Sequence, residues 1–251
     1  MRATVLGTGS ALPDGERAQS GLLVRDGATR ILVDCGSGVL ERLARTETGV
    51  TGLDAVCLTH GHVDHVSDLL PLLKARWLAD CADALPVVGP PGTTELVDGL
   101  LDVHDYLAGR VRVDARDIAG GAFTLVDLDV ETYETAHSTS MRSFAYRFGD
   151  ALTVSGDTPA DPGLAAFAAG TTLVHDCSFP DGHASDGHAT PRELGRVLAG
   201  RNYHGVSLTH RYPDAEAAGD ALVAGVREHY DGDVTVAHEG ETIRCGPTDT
   251  G

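Results

Sequence analysis

The segment Thr59-His60-Gly61-His62-Val63-Asp64-His65 constrains this chain more than any other stretch. Three histidines and an aspartate fall within six residues, directly after the apolar run DAVCLTH at 54–60. That run reads as a buried strand ending in histidine. Leu69, Leu70, Leu72, Leu73 and Trp77 follow at near-helical spacing and predict a helix over 66–79. A strand end followed by a glycine-containing turn lets alternate side chains point into one pocket. Imidazole and carboxylate are the ligands of borderline divalent metals. Four such donors crowd one tetrahedral ion and suit two adjacent ions, His60 and His62 serving one, Asp64 and His65 the other. More donors recur at predicted strand ends: His137 after 128–135, Asp157 after 151–155 and His210 after 205–209. Seven donors on four strand ends close two sites and leave room for a bridging hydroxide. That is the pattern of a catalytic centre rather than a closed structural zinc site.

Around the motif, short strands and helices alternate. ATVLG enters a Gly-rich turn, and GLLV at 21–24 pairs with 30–36 around Asp26-Gly27. A helix is predicted over 38–46, a strand over 86–89, and a helix opening at PPGTTELVDGLLDV with Thr93 or Thr94 as its cap. Strands follow at 111–113, 122–126, 128–135, 143–148 and 151–155. The final third alternates strand 172–176, helix 191–199, strand 205–209, helix 214–229 and strand 233–237. Thr190, Pro191 and Glu193 form a strong helix start. β-rich stretches leading into βα units occur in both halves, which predicts a four-layer αββα sandwich, an α/β fold occupying 1–251 as one domain. GTGSA at 7–11 lacks the spacing of a phosphate or dinucleotide loop and reads as a tight turn.

Composition narrows the partners. Lys and Arg number 19 against 37 Asp and Glu, a formal net charge of −18, which disfavours tight electrostatic binding of a long nucleic acid. Aromatic residues make up 5%, few for a base-stacking platform. Five scattered cysteines with no C-x-x-C pair point to a reduced cytoplasmic setting, with neither a disulfide framework nor a thiolate zinc ribbon. No apolar run approaches the roughly 20 residues that span a bilayer, and the first residues do not read as a signal peptide. Cys35 and Cys57 read as small core residues, and His104, His204, His229 and His238 lack ligand-like context.

Taken together, the chain resembles the metallo-β-lactamase fold superfamily, and within it the RNase Z-like branch of metal-dependent phosphodiesterases. The likeness rests on VLGTGSALP, the strand at Ser20, LVDCGSG at 32–38, H-x-H-x-D-H at 60–65, His137, SGDT at 155–158 and LTHRYP at 208–213. It implies His60, His62 and His137 on one Zn²⁺, Asp64, His65 and His210 on a second, and Asp157 bridging them. The donor set also admits Mn²⁺ or Fe²⁺. TLVHDCS at 172–178 resembles the family's H-E-A-T segment with Asp176 in place of Glu, and Gly187-His188-Ala189-Thr190 resembles its G-H-S-T segment. In relatives that histidine contacts the scissile phosphate and pairs with the acidic residue, roles that fall here to His188 and Asp176. His183, in the similar DGHAS, competes with His188.

The chemistry implied is a dinuclear zinc phosphodiesterase acting on small phosphodiesters, cyclic nucleotides among them. A metal-bridging hydroxide would attack phosphorus, Asp64 would orient it or take its proton, and His188 would stabilise the phosphate or protonate the leaving alkoxide. Ser138, with Thr139 and Ser140, and Arg211 with Tyr212 are candidates for substrate contact; turn chemistry, a surface salt bridge and a packed ring are the plainer readings. A tRNA 3′-processing endonuclease is the alternative. The family endonucleases carry a long basic arm between the third histidine and the bridging aspartate, whereas His137 and Asp157 are 20 residues apart with only Arg142 and Arg147 between them. Lactone, thioester or β-lactam hydrolysis is the third reading, since the fold hosts many chemistries. Relatives are often dimers, which makes a homodimer an expected assembly.

Overall fold

The computed structural model describes residues 1–183 and 185–247. Its strands are β1 (Arg2–Gly7), β2 (Gly21–Asp26), β3 (Thr29–Val33), β4 (Ala55–Cys57), β5 (Leu85–Gly89), β6 (Val113–Asp117) and β7 (Ala122–Leu125). They continue as β8 (Leu128–Thr135), β9 (Ser143–Phe148), β10 (Leu152–Val154), β11 (Thr172–Asp176), β12 (Gly205–Thr209), β13 (Val234–Val236) and β14 (Thr242–Arg244). Two seven-stranded sheets result, in the orders β14-β1-β2-β3-β4-β5-β6 and β13-β12-β11-β10-β9-β8-β7. The helices are α1 (Val39–Ala44), α2 (Val63–Val66), α3 (Leu69–Leu78), α4 (Thr93–Val103), α5 (Pro162–Phe167), α6 (Pro191–Leu198), α7 (Pro213–Ala218) and α8 (Asp220–Arg227).

Alternation along the strands builds the layers, because successive side chains leave opposite faces of a sheet. Val5, Leu22, Val24, Ile31 and Val33 turn inward and meet Phe144, Tyr146, Phe148, Leu152, Val154 and Val174 of the second sheet. Their neighbours Leu6, Leu23 and Leu32 turn outward and bury against Val39 and Leu43 of α1 and Leu69, Leu72 and Leu73 of α3. On the far side Leu173, Val206 and Leu208 pack with Leu194 and Leu198 of α6 and Leu222 and Val226 of α8. The order is helix, sheet, sheet, helix, the sandwich expected. Phe148 is 0% exposed in the layer between the sheets, so Phe148→Ala should cost about 3–5 kcal/mol of unfolding free energy in a urea titration.

Several boundaries differ from the sequence reading. The β2–β3 turn is Gly27-Ala28, one residue later than expected, with Asp26 paired to Thr29 and Gly27 at φ 51°. The strand placed at 111–113 begins at Val113 instead, because it pairs in parallel with β5 from Leu85 onward. Neither Thr93 nor Thr94 caps α4: Gly92 occupies the cap at φ 102°, and Asp117 of β6 accepts from Gly92 N (3.2 Å) and Thr94 N (2.8 Å). The helix expected over 214–229 is divided into α7 and α8 at Gly219. Neither α5 nor β14 was anticipated, although Asp161-Pro162 is a readable start, the Asp161 carboxylate accepting from Gly163 N at 2.7 Å.

Candidate metal centre

Parallel strands of both sheets end on one edge of the sandwich, and the donors sit just beyond those ends. His60 follows β4, Asp157 follows β10 and His210 follows β12, while His137 follows β8. His62, Asp64 and His65 come from the turn into α2 and from that helix itself. The turn is held close: a Cβ at Gly36 would lie 2.0 Å from the Asp64 carbonyl oxygen, so only glycine fits there.

Two donor groups share one carboxylate. In the first, His62 Nδ1 lies 3.0 Å from both His60 Nε2 and His137 Nε2, and Asp157 Oδ2 is 3.7 Å from each of the latter two. In the second, His65 Nε2 and His210 Nε2 are 3.3 Å apart, Asp64 Oδ2 is 3.1 Å from His210, and Asp157 stands 3.3 Å from His65 and 3.4 Å from His210. All the donor atoms of each group lie within 4.8 Å of one another.

The outward nitrogens of these rings are already committed. His137 Nδ1 donates to the Gly187 carbonyl (2.9 Å) and His65 Nδ1 to Asp34 (2.7 Å). His60 Nδ1 meets Thr59 Oγ1 (3.0 Å), which itself donates to Asp34 (2.9 Å). His210 Nδ1 meets Ser178 Oγ at 3.0 Å. These partners place the ring proton on Nδ1 and leave an Nε2 lone pair facing inward, the usual outer shell of a metal site. Imidazole nitrogens converging at 3.0 Å repel unless a proton or a metal cation lies between them, and the buried Asp157 Oδ1 has no hydrogen-bond partner. The residues therefore fit divalent metal. Burial, reinforced by the neighbouring His65, pushes His60 toward neutral imidazole. Burial works against the charge of Asp157, but the surrounding imidazoles hold its carboxyl well below the usual range. Both directions favour ligation.

Beside the second group, His188 Nδ1 donates to Asp176 Oδ2 at 2.8 Å. Asp176 also accepts from Ser178 Oγ (2.5 Å) and Thr158 N (3.1 Å), so its position is fixed from three directions. The shorter Asp reaches its partner. His188 stacks on His210 (centroids 5.4 Å, 14°) and lies edge-on to His137 at 4.9 Å. Burial opposes the imidazolium, and Asp176 outweighs it, lifting His188 above the ordinary imidazole range. His183 is not in this cluster; its ring lies flat on Phe179, 3.8 Å between centroids. Thr190 does precede α6, but its hydroxyl donates to Glu193 Oε2 (2.7 Å) rather than capping a backbone amide.

Arg211 and Ser138, the two candidates for substrate contact, both have partners within the chain. Arg211 is 1% exposed, with Nε on Glu216 (2.7 Å) and Nη1 on the Leu208 carbonyl (2.9 Å). Its guanidinium braces the backbone below His210, which itself adopts φ 57°, and is not brought to the donor groups. Ser138 bonds Ser140 Oγ at 2.9 Å, the turn chemistry that was the plainer reading. Sequence reasoning missed Asp34 and Ser178, which orient His65 and His210. Asp34 stands at φ 60° directly after β3, and a carboxylate at that strand end in LVDCGSG was the available signal. Asp34→Ala should weaken zinc binding about 10–100-fold in a competition titration against a chromophoric chelator. Unchanged affinity would leave Asp34 a purely structural residue.

A family model described as "Beta-lactamase superfamily domain" matches residues 29–211. Ribonuclease Z of Mycolicibacterium paratuberculosis is 34% identical over 259 residues, covering 92% of this chain and 90% of the relative. The chain belongs to the metallo-β-lactamase superfamily, in its RNase Z-like branch. Among solved structures, the metallo-β-lactamase fold protein YhfI from Bacillus subtilis superposes with a TM-score of 0.83 at 25% identity, covering 98% of this chain and 99% of YhfI. The human short-form tRNase Z gives 0.72 at 20% identity, covering 99% of this chain and 100% of that one, a likeness of fold. As a member of this superfamily the chain is a metal-dependent hydrolase, with the His/Asp cluster as its divalent metal site. The expectation that a long nucleic acid is disfavoured finds no support in these relatives, whose name is that of a ribonuclease. Net charge describes the whole surface and leaves a local contact face open. No helix among the described residues is long and apolar enough to cross a membrane.

Proposed function

We propose that the protein is a dinuclear zinc phosphodiesterase acting on small phosphodiesters. The observation that carries this reading is the Asp176–His188 pair packed against the second donor group, an oriented imidazole beside the metal site. His60, His62 and His137 would hold one ion, Asp64, His65 and His210 the other, and Asp157 both. Two Zn²⁺ would lower the pKa of a water and withdraw charge from the phosphate oxygens. Asp64, buried with Oδ2 3.1 Å from His210 Nε2, is placed to orient the attacking water and accept its proton. His188, oriented through Nδ1 by Asp176, is left with Nε2 to donate to a phosphoryl oxygen or to the leaving alkoxide. Ser178 ties this donor to His210 through one hydroxyl.

A second reading, tRNA 3′-end cleavage, is favoured by the identity to Ribonuclease Z over 92% of the chain. Against it, the 19 residues between His137 and Asp157 hold β9, β10 and short connections, and no arm extends from them. The test is a zinc-loaded assay on bis-p-nitrophenyl phosphate, a lactone panel and a precursor tRNA. Turnover of the phosphodiester is expected. Turnover of a lactone alone would sink the proposal, and accurate 3′-end cleavage of the precursor would establish the second reading.

A further inference from the structure

The register of the first sheet sets four arginines in one row. Arg2 lies opposite Arg244 on β14 and opposite Arg25 on β2, and Arg25 lies opposite Arg30 on β3. Directly opposed residues share a face of the sheet. Here it is the outer face: Leu23 and Leu32, two residues from Arg25 and Arg30, bury against the helices, whereas Val24 and Ile31 turn inward. Strands about 4.8 Å apart give the row a span of about 14 Å. Like charges placed directly opposite one another destabilise a sheet, so the row opposes folding unless an anion neutralises it.

Acidic residues outnumber basic ones in this chain by 37 to 19, yet they do not neutralise the row. Elsewhere Arg17, Arg142, Arg147, Arg192 and Arg211 each lie within 2.8 Å of a carboxylate. In the row, among the described residues, the one ion pair is Arg25 Nη1 to Glu47 Oε2 at 4.0 Å, and Glu47 is 97% exposed. Arg25 Nε is buried and has no hydrogen-bond partner. Three of the four arginines border one hollow: Arg2, Arg25 and Arg30 line a groove of about 290 Å³ with Met1, Asp26 and Gly27. Arg30 is fixed there through Nη1, which donates to the carbonyls of Gly27 (2.8 Å) and Thr29 (2.9 Å). Asp26 is the carboxylate of this lining and faces the Met1 amino nitrogen at 3.4 Å. The lining therefore holds an excess of at least two positive charges. It lies where β1 and β3 begin, whereas the metal donors lie beyond strand ends. Asp34 is four residues past Arg30, about 13 Å along the strand direction.

We infer that this groove is an anion site, separate from the metal centre, for a phosphate dianion: free phosphate or the phosphate of a small monoester. A guanidinium presents its donors as a planar fork that matches phosphate oxygens. A monoester carries about two negative charges at pH 7 and a diester one. The charge of the groove therefore favours the monoester over the diester. The site uses no metal and stands whether or not the protein is a phosphodiesterase.

Titration of the zinc-loaded, isotope-labelled protein with inorganic phosphate, glycerol 3-phosphate and dimethyl phosphate, at constant ionic strength, tests it by NMR. The Nε–Hε resonances of Arg25 and Arg30, assigned from Arg25→Gln and Arg30→Gln, report on the groove and not on phosphate bound at zinc. They should shift and saturate with inorganic phosphate or glycerol 3-phosphate, and the tighter of the two identifies the source. Dimethyl phosphate should bind at least about tenfold more weakly. Removing one guanidinium, with the other as reporter, should also weaken binding about tenfold, the effect of one lost charged hydrogen bond. A shift that never saturates, or equal saturation by dimethyl phosphate, would overturn the inference and leave the row a solvated face. Bound zinc should be the same in both variants as in the wild type. Its loss would tie the row to the metal centre and overturn the claim of a separate site.

Discussion

Asp157→Ala should abolish hydrolysis of bis-p-nitrophenyl phosphate and leave a folded chain that no longer retains a full metal complement. The expected loss exceeds the roughly 10–100-fold that removal of an outer-shell partner costs, because this carboxylate belongs to both donor groups. It stands within 3.7 Å of the inward nitrogens of His60, His65, His137 and His210. It is the one donor that these two groups have in common. Its Oδ1 makes no hydrogen bond within the chain, so the substitution breaks no internal bond of that atom. A native circular dichroism spectrum is expected, and Asp157→Asn preserves the shape should the alanine variant fold poorly. Zinc should also lose its stabilising effect on the variant. A ligand present at 1,000 times its Kd stabilises a native protein by about 4 kcal/mol, which a thermal melt resolves readily. Melts of the wild type should rise on zinc addition, and those of Asp157→Ala should scarcely move.

His188→Ala carries the second large effect and separates catalysis from metal binding. The phosphodiesterase rate should fall about 10²–10⁴-fold, the usual contribution of a positioned acid or base. Bound zinc, measured on the same preparation, should persist, since His188 lies outside the two groups that share Asp157 on one edge. The structure does place His188 with Asp157, Asp176 and His210 in a third cluster of donor atoms, so the metal measurement is decisive. Loss of one zinc would make His188 a ligand. Asp176→Asn should reproduce most of the rate loss with the ring still present, because Asp176 fixes the Nδ1 proton and hence the role of Nε2.

The donors were legible because chemistry and topology coincide in them. A motif with four ligands in six residues at a strand end has few structural uses, and His60, His62, Asp64 and His65 do converge. His137, Asp157 and His210 carried weaker signals singly; only their recurrence after strands gathered them, and the structure brings all three to the same edge. Beyond the strand-end position of Asp34, the roles of Asp34 and Ser178 were not legible, because each acts through a hydrogen bond spanning 31 or 32 residues to a ring whose register the local pattern does not show. The burial of Arg211 was hidden for a related reason. A buried guanidinium braced by Glu216 reads in sequence like a surface one facing substrate. The layers were legible in the β-rich stretches that lead into βα units in both halves, and the structure turns Leu22 and Val24 to one face of the sheet and Leu23 to the other. Element ends did not follow, because Gly219 can be tolerated in a helix or divide one, and only the packing of α7 and α8 decides. β14 is three residues long and acquires its identity by pairing Ile243 with Ala3 from the opposite end of the chain.

Titrating the metal-stripped chain with zinc, while following bound metal and phosphodiester hydrolysis together, tests the central claim most directly. Activity should be absent at the start, rise with added zinc and level off at two ions per chain. Hydrolysis undiminished in the stripped chain, or full activity at a single ion, would contradict a dinuclear centre built on Asp157.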